Sequence, residues 1–165
     1  MKKYDFTDEV VLVNGVKLHR IKALRDIPSI GIKAGDLGGF IEKKRNLSHK
    51  GDCWVHVGAK VYGKAKVFEH AQVFGHAKVS DHAGIHGNAR VFDYAKIFGG
   101  ADIYDDAWVY GHANIFDGAQ VFGHAKVFGN AWIFGNAGAC DEAQVYGKAR
   151  IAGLEQVTGK DHVTE

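Results

Sequence analysis

Proline and cysteine are nearly missing from this 165-residue chain: one proline, Pro28, and two cysteines, Cys53 and Cys140. So little proline excludes polyproline and collagen-type architectures, despite 22 glycines. Two cysteines are too few for a disulfide framework, which makes a reducing, cytoplasmic setting the expectation. No apolar run approaches the roughly 18 residues of a membrane-spanning helix, so no membrane partner is expected. The opening Met1-Lys2-Lys3-Tyr4-Asp5 lacks the apolar stretch of a secretory signal. Charge of one sign is lacking too. Lys plus Arg is 21 against 19 Asp plus Glu, a net charge of +2, which argues against a specific nucleic-acid partner. No Walker or dinucleotide fingerprint occurs, and no cofactor is expected. The length suits one domain.

What the chain does have is a repeat. From Val55 to Leu154 it repeats every six residues without insertion, in 17 units. Position one is Val or Ile in 16 units, with Ala139 the exception, and position five is Ala in 16, until Glu155. Position two is Phe or Tyr in 12 units, and position three is Gly or Asp in 15. Ala-x-Val alternation puts positions five and one on the same side of a strand. Val and Ile suit a buried pleated surface, and a small Ala suits a crowded inside corner. Gly, Asp, Asn and His at positions three and four tolerate left-handed backbone and mark turns. A period of six does not hold a 3.6-residue stripe on one face, so helix is excluded. Short strands with regular corners read as a β-solenoid.

Units such as Val127-Phe128-Gly129-Asn130-Ala131-Trp132 resemble the hexapeptide repeat of left-handed parallel β-helices. This chain departs from that pattern in carrying aromatics at position two. The resemblance implies an all-β, three-sided left-handed prism with three hexapeptide units to each coil, five to six coils for these units, and commonly a homotrimer. Ala34-Gly35-Asp36-Leu37-Gly38-Gly39-Phe40, with Leu47-Ser48 and Gly51-Asp52-Cys53-Trp54, resembles the amino-terminal signature of the YdcK-like bacterial and phage proteins, described as transferases or polymer-forming proteins. That likeness implies a fold and no defined reaction.

Residues 1–50 do not repeat and are expected to cap the solenoid, whose open end exposes strand edges and apolar core. Val10–Val13 and Val16–His19 flank Asn14-Gly15 and read as a hairpin with a two-residue turn. The repeat region is placed at 51–157, and 158–165 is read as a polar tail.

Stacking the units three to a coil gives three sides. The ring side carries Phe74, Phe92, Tyr110, Phe128 and Tyr146 in one outward column, a candidate self-association surface. Stacking of neighbouring rings within the chain explains the same column equally well. The lysine side carries Lys60, Lys78 and Lys96, with Tyr62 and Ser80 beside them. Stacked ammonium groups next to rings make a seat for a phosphate or a small anionic nucleotide; a solvated strip that blocks aggregation is the plainer alternative. The notched side loses bulk at Gly84 and Gly138, as if to admit a ligand or another protomer, and Ser80, His82 and His86 cluster near the first notch.

No metal site is expected. His70, His76, His82, His112 and His124 hold the position-four corner, but His76 and His112 stand two coils apart with Tyr94 between them. No catalytic residue is selected either. Hexapeptide acyltransferases place a catalytic His in a cleft beneath a long loop, and this repeat has no insertion. The expected function is therefore a non-catalytic binding or scaffold solenoid, self-associating and acting through its aromatic and basic faces. The alternatives are sequestration of a small anionic nucleotide between protomers, as by a phage-type protein, and acyltransferase-like catalysis.

Overall fold

The computed structural model describes residues 1–165. It is a three-sided parallel β-solenoid of about seven turns, with an antiparallel hairpin at its amino-terminal end. Each unit contributes a two-residue strand made of position six and position one. Each strand pairs with the strand three units on: Lys60 with Lys78, Lys78 with Lys96, Arg90 with Trp108, and Gly84 with Asp102. The three sides deduced from the sequence are the three sheets of the molecule.

The core follows from the repeat. The Ala of position five and the Val or Ile of position one point inward and are fully or almost fully buried. Above and below, each backbone is tied to the next coil, as by Lys78 N–H to the Ala95 carbonyl at 3.0 Å and Ser80 N–H to the Ile97 carbonyl at 2.9 Å. A bond from the position-five N–H to the position-two carbonyl closes each corner, for example Ala83 to Ser80 at 3.2 Å.

Position three bends the chain in the left-handed region. Asp81, Asp93, Asp105, Asp117 and Asp141 have φ of 54–58°, and the glycines of the column from Gly63 to Gly159 have φ of 63–69°. Asp at this position also caps the next coil. Its carboxylate accepts the N–H of the glycine one coil on, as Asp81 does from Gly99 at 3.0 Å and Asp141 from Gly159 at 3.0 Å. A Cβ at Gly99 would meet the Asp117 nitrogen at 2.7 Å, whereas at Gly153, with nearly the same φ, it would meet nothing within 4 Å. Gly99→Ala is therefore expected to lose about 1–3 kcal/mol in urea unfolding, and Gly153→Ala measurably less. Equal losses would show that crowding between coils plays no part.

The cap starts with β1 (Tyr4–Val13) and β2 (Val16–Ala23), joined at Asn14 and Gly15, whose φ values of 50° and 79° are those of the expected two-residue hairpin turn. The next strand, β3 (Leu37–Ile41), pairs antiparallel with β2 and parallel with Lys60–Val61. Coiling thus begins inside the amino-terminal cap. It also runs on past residue 157, because His162–Val163 pairs with Gln144–Val145. These extra rungs raise the five to six coils of the repeat to about seven turns. Buried polar groups pin the cap down. The Tyr4 hydroxyl lies 2.8 Å from the carbonyls of both Lys44 and Leu47, and the Asn46 amide donates to the carbonyls of Gly63 and Ala65.

Candidate functional site

The lysine side holds the candidate site. Lys60, Lys78 and Lys96 stand on three successive rungs of one sheet, and none of them takes part in any of the ten ion pairs of the molecule. Parallel strands repeat at about 4.8 Å, so three like charges are held a few ångströms apart at their roots. Such a strip lowers the free energy of any bound anion, most of all where walls exclude water.

Walls are present at one point of the strip. A cleft of about 300 Å³ is lined by Asn14, Tyr62, Lys78, Ser80, Asp81, Lys96, Ile97 and Phe98. Two cations, a hydroxyl, an amide and two rings converge there. Asn14 arrives from the hairpin tip, so the cap supplies one edge of a site otherwise built by the coils. Asp81 is the one acid in the lining, and its carboxylate already accepts the Gly99 N–H.

Four of the seven residues named as ligand candidates from the sequence therefore share this cleft: Tyr62, Lys78, Ser80 and Lys96. Lys60 lies on the adjoining rung. His82 and His86 are placed elsewhere. His82 lines a different cleft, round the corner. His86 stacks between Phe68 and Tyr104 at 4.6 and 5.2 Å, with its Nε2 3.1 Å from an Asp102 carboxylate oxygen. It is a strut of the notched side.

Each notch is covered from the next coil. The Asp102 carboxylate lies over Gly84, where an added Cβ would meet it at 2.6 Å, and the Gln156 side chain lies over Gly138. Missing bulk on one coil is thus replaced on one side by a polar side chain from the next, while Gly84 still lines a cleft with His82 and Phe68. On the ring side, Phe74, Phe92, Tyr110, Phe128 and Tyr146 form one continuous stack at 4.8–4.9 Å, with ring planes within 4° of parallel. These rings are half-buried by each other. Two of the corner histidines stack as well, with Tyr94 packed between His76 and His112 at 5.2 and 5.0 Å. No group of three or more His, Cys, Asp or Glu converges to hold a metal ion.

A second basic cleft, of about 390 Å³, lies beside the first notch and brings in His82 and Gly84, both named from the sequence. Arg45, Lys64, Lys66 and His82 line it with Phe68, Ala83 and Gly84. Arg45 comes from the cap, and no sequence period links it to Lys64 and Lys66. This trough is lined by three cations, the His82 imidazole and apolar atoms, without a side-chain hydroxyl or amide, and Phe68 is engaged in the stack with His86. It offers charge, but fewer directional contacts than the cleft beneath the hairpin tip.

Both cysteines are buried. Cys53 is fully buried, and burial pushes its thiol above the usual range although Lys3 opposes the shift. The Lys3 ammonium donates to the carbonyls of Cys53 at 2.7 Å and Gly51 at 3.3 Å and lies 3.1 Å from the Cys53 sulfur. Burial in turn holds the Lys3 ammonium below its usual value, against the pull of Cys53. The Cys140 thiol is raised too, by burial and then by Asp141. A thiol held protonated is a poor nucleophile.

No family model and no curated protein sequence matches the chain. No helix is long and apolar enough to cross a membrane.

Proposed function

We propose that this protein is a non-catalytic binding solenoid that holds a small phosphate-class anion on its lysine side. The observation that supports it is the cleft in which Lys78 and Lys96, both without ion-pair partners, meet Ser80, Tyr62 and the hairpin-tip residue Asn14. Two ammonium groups satisfy the charge, and the hydroxyl and amide supply direction. The site forms within one chain. No corner of the repeat extends into a loop that would cover an acyl substrate, which favours binding over transferase chemistry.

The hexapeptide repeat and the Ala34–Phe40 signature support a place among the YdcK-like proteins of bacteria and phages. Trimeric self-association and a cytoplasmic setting belong to the same proposal, the first from the half-exposed ring column and the second from two unpaired cysteines.

Titration of the intact protein with inorganic pyrophosphate, followed by calorimetry, tests the reading. Saturable binding that weakens with added salt and with Lys78→Ala is expected. Binding that ignores Lys78 removes the lysine side as the site, and no binding removes the anion reading. Sedimentation equilibrium of the same sample checks self-association: a trimer mass supports it and a monomer mass overturns it.

A further inference from the structure

Rings stack from coil to coil on all three sides. The ring side runs unbroken from Phe74 to Tyr146, and the notched side runs from Phe68 through His86 and Tyr104 to Phe122. On the lysine side, Phe98, Phe116 and Phe134 stack at 4.9 and 5.1 Å with planes within 3° of parallel. One rung further, the column meets Ser80, and beyond it Tyr62. Ser80 is the one position in the repeat that has a ring on the coil before and a ring on the coil after but none of its own. Cys140 and Ala152, the other ringless outward positions after Ser80, each have a ring on only one neighbouring coil.

The gap has a defined height. Rings flanking a missing rung stand about 9.6 Å apart, twice the ~4.8 Å strand spacing. A flat ring placed midway is about 4.8 Å from each neighbour, the same offset stack that the intact columns adopt at 4.8–5.1 Å. Tyr62, Ser80 and Phe98 all line the cleft under Asn14, so the gap opens into the space beside Lys78 and Lys96.

We infer that this gap is the ring-binding half of the site, and that the ligand is a planar heteroaromatic ring carrying phosphate, of mononucleotide size. The inference rests on the anion reading above and adds the part that charge alone does not specify. The ligand's ring completes the interrupted column between Tyr62 and Phe98. Its phosphate lies along the lysines, and the Asn14 amide is placed to meet polar atoms at the edge of the ring. A site of this kind selects a flat ring by its thickness and an anion by its charge, so neither a bare phosphate nor an uncharged ring engages both halves.

The test fills the gap from within. Ser80→Phe supplies the missing ring, and Ser80→Ala removes only the hydroxyl. Each variant and the parent protein are titrated with the four common nucleoside 5′-monophosphates, and with ribose 5-phosphate and pyrophosphate as ring-free probes. In the parent protein at least one nucleotide is expected to bind about ten-fold or more tighter than ribose 5-phosphate, the scale of one base stacked on aromatic side chains. Ser80→Phe is expected to melt at a higher temperature than the parent, to lose that preference, and to lose no more pyrophosphate affinity than Ser80→Ala, since both variants lack the hydroxyl. Ser80→Ala is expected to keep the preference. Equal affinity for ring-bearing and ring-free phosphates in the parent protein overturns the ring slot while leaving the anion site standing. A Ser80→Phe protein that melts lower, or that binds nucleotides as the parent does, also overturns it. Failure of every probe overturns the anion reading and the slot with it.

Discussion

Replacing Ile103 with alanine is expected to destabilise the protein by about 2–5 kcal/mol, read as a lower midpoint in urea unfolding. Ile103 is fully buried and its strand is paired on both sides, to Gly84–Ile85 and to Gln120–Val121. The interior it fills is narrow, built from position-five alanines and position-one aliphatics. A cavity there cannot close by shifting a strand, because this rung is tied to the rungs before and after it. Ile151 provides the control. It is almost as buried, but its strand ends its sheet and has a neighbour on one side only. Ile151→Ala is expected to cost clearly less, since terminal coils of a solenoid open at low free energy. Equal losses at the two sites would mean that the coils unfold as a single block with no weaker end.

The second large effect concerns binding. The double variant Lys78→Glu, Lys96→Glu is expected to weaken anion binding by roughly 100-fold or more, since charge-assisted contacts contribute about 1.5–3 kcal/mol each and about 1.4 kcal/mol is ten-fold. Stability should change little or rise slightly, because both side chains are at least partly exposed and the like-charge column is relieved. Lys64→Glu, Lys66→Glu is the matched control on the second basic cleft. If that pair abolishes binding and the Lys78 and Lys96 pair does not, the anion sits in the trough beside Arg45, and the assignment of the site is wrong.

Much of the fold was legible because the period is strict. One inward Ala and one inward Val or Ile in almost every unit leave few ways to bury both, and Gly or Asp at position three announces every left-handed corner but those at Val57 and Glu69. Asn14-Gly15 announced the hairpin turn for the same local reason. Features that depend on contact between distant residues were not legible. Nothing in a hexapeptide pattern says that the Asp102 and Gln156 side chains cover the spaces left by Gly84 and Gly138. Nor does it say that His86 serves as a ring in a stack instead of joining Ser80 and His82. The added rungs at Leu37–Ile41 and His162–Val163 lack the full signature, since a terminal strand needs pairing on only one side. Within the site, the lysine column and its neighbouring Tyr62 and Ser80 could be read by stacking every third unit. Asn14 could not, because its turn chemistry says nothing about where the hairpin tip lands. Ser80 is visible in the sequence as a serine in an aromatic column, but that Tyr62 and Phe98 share a cleft across it is not.

The most direct test of the account is amide NMR of the labelled protein during titration with nucleoside monophosphates. Shifts are expected only at Asn14 and Gly15, on the rungs carrying Tyr62, Ser80 and Phe98, and at Lys78 and Lys96, with the coils from Val127 onward unchanged. Shifts centred on Arg45, Lys64 and Lys66, or no shifts at all, would contradict it.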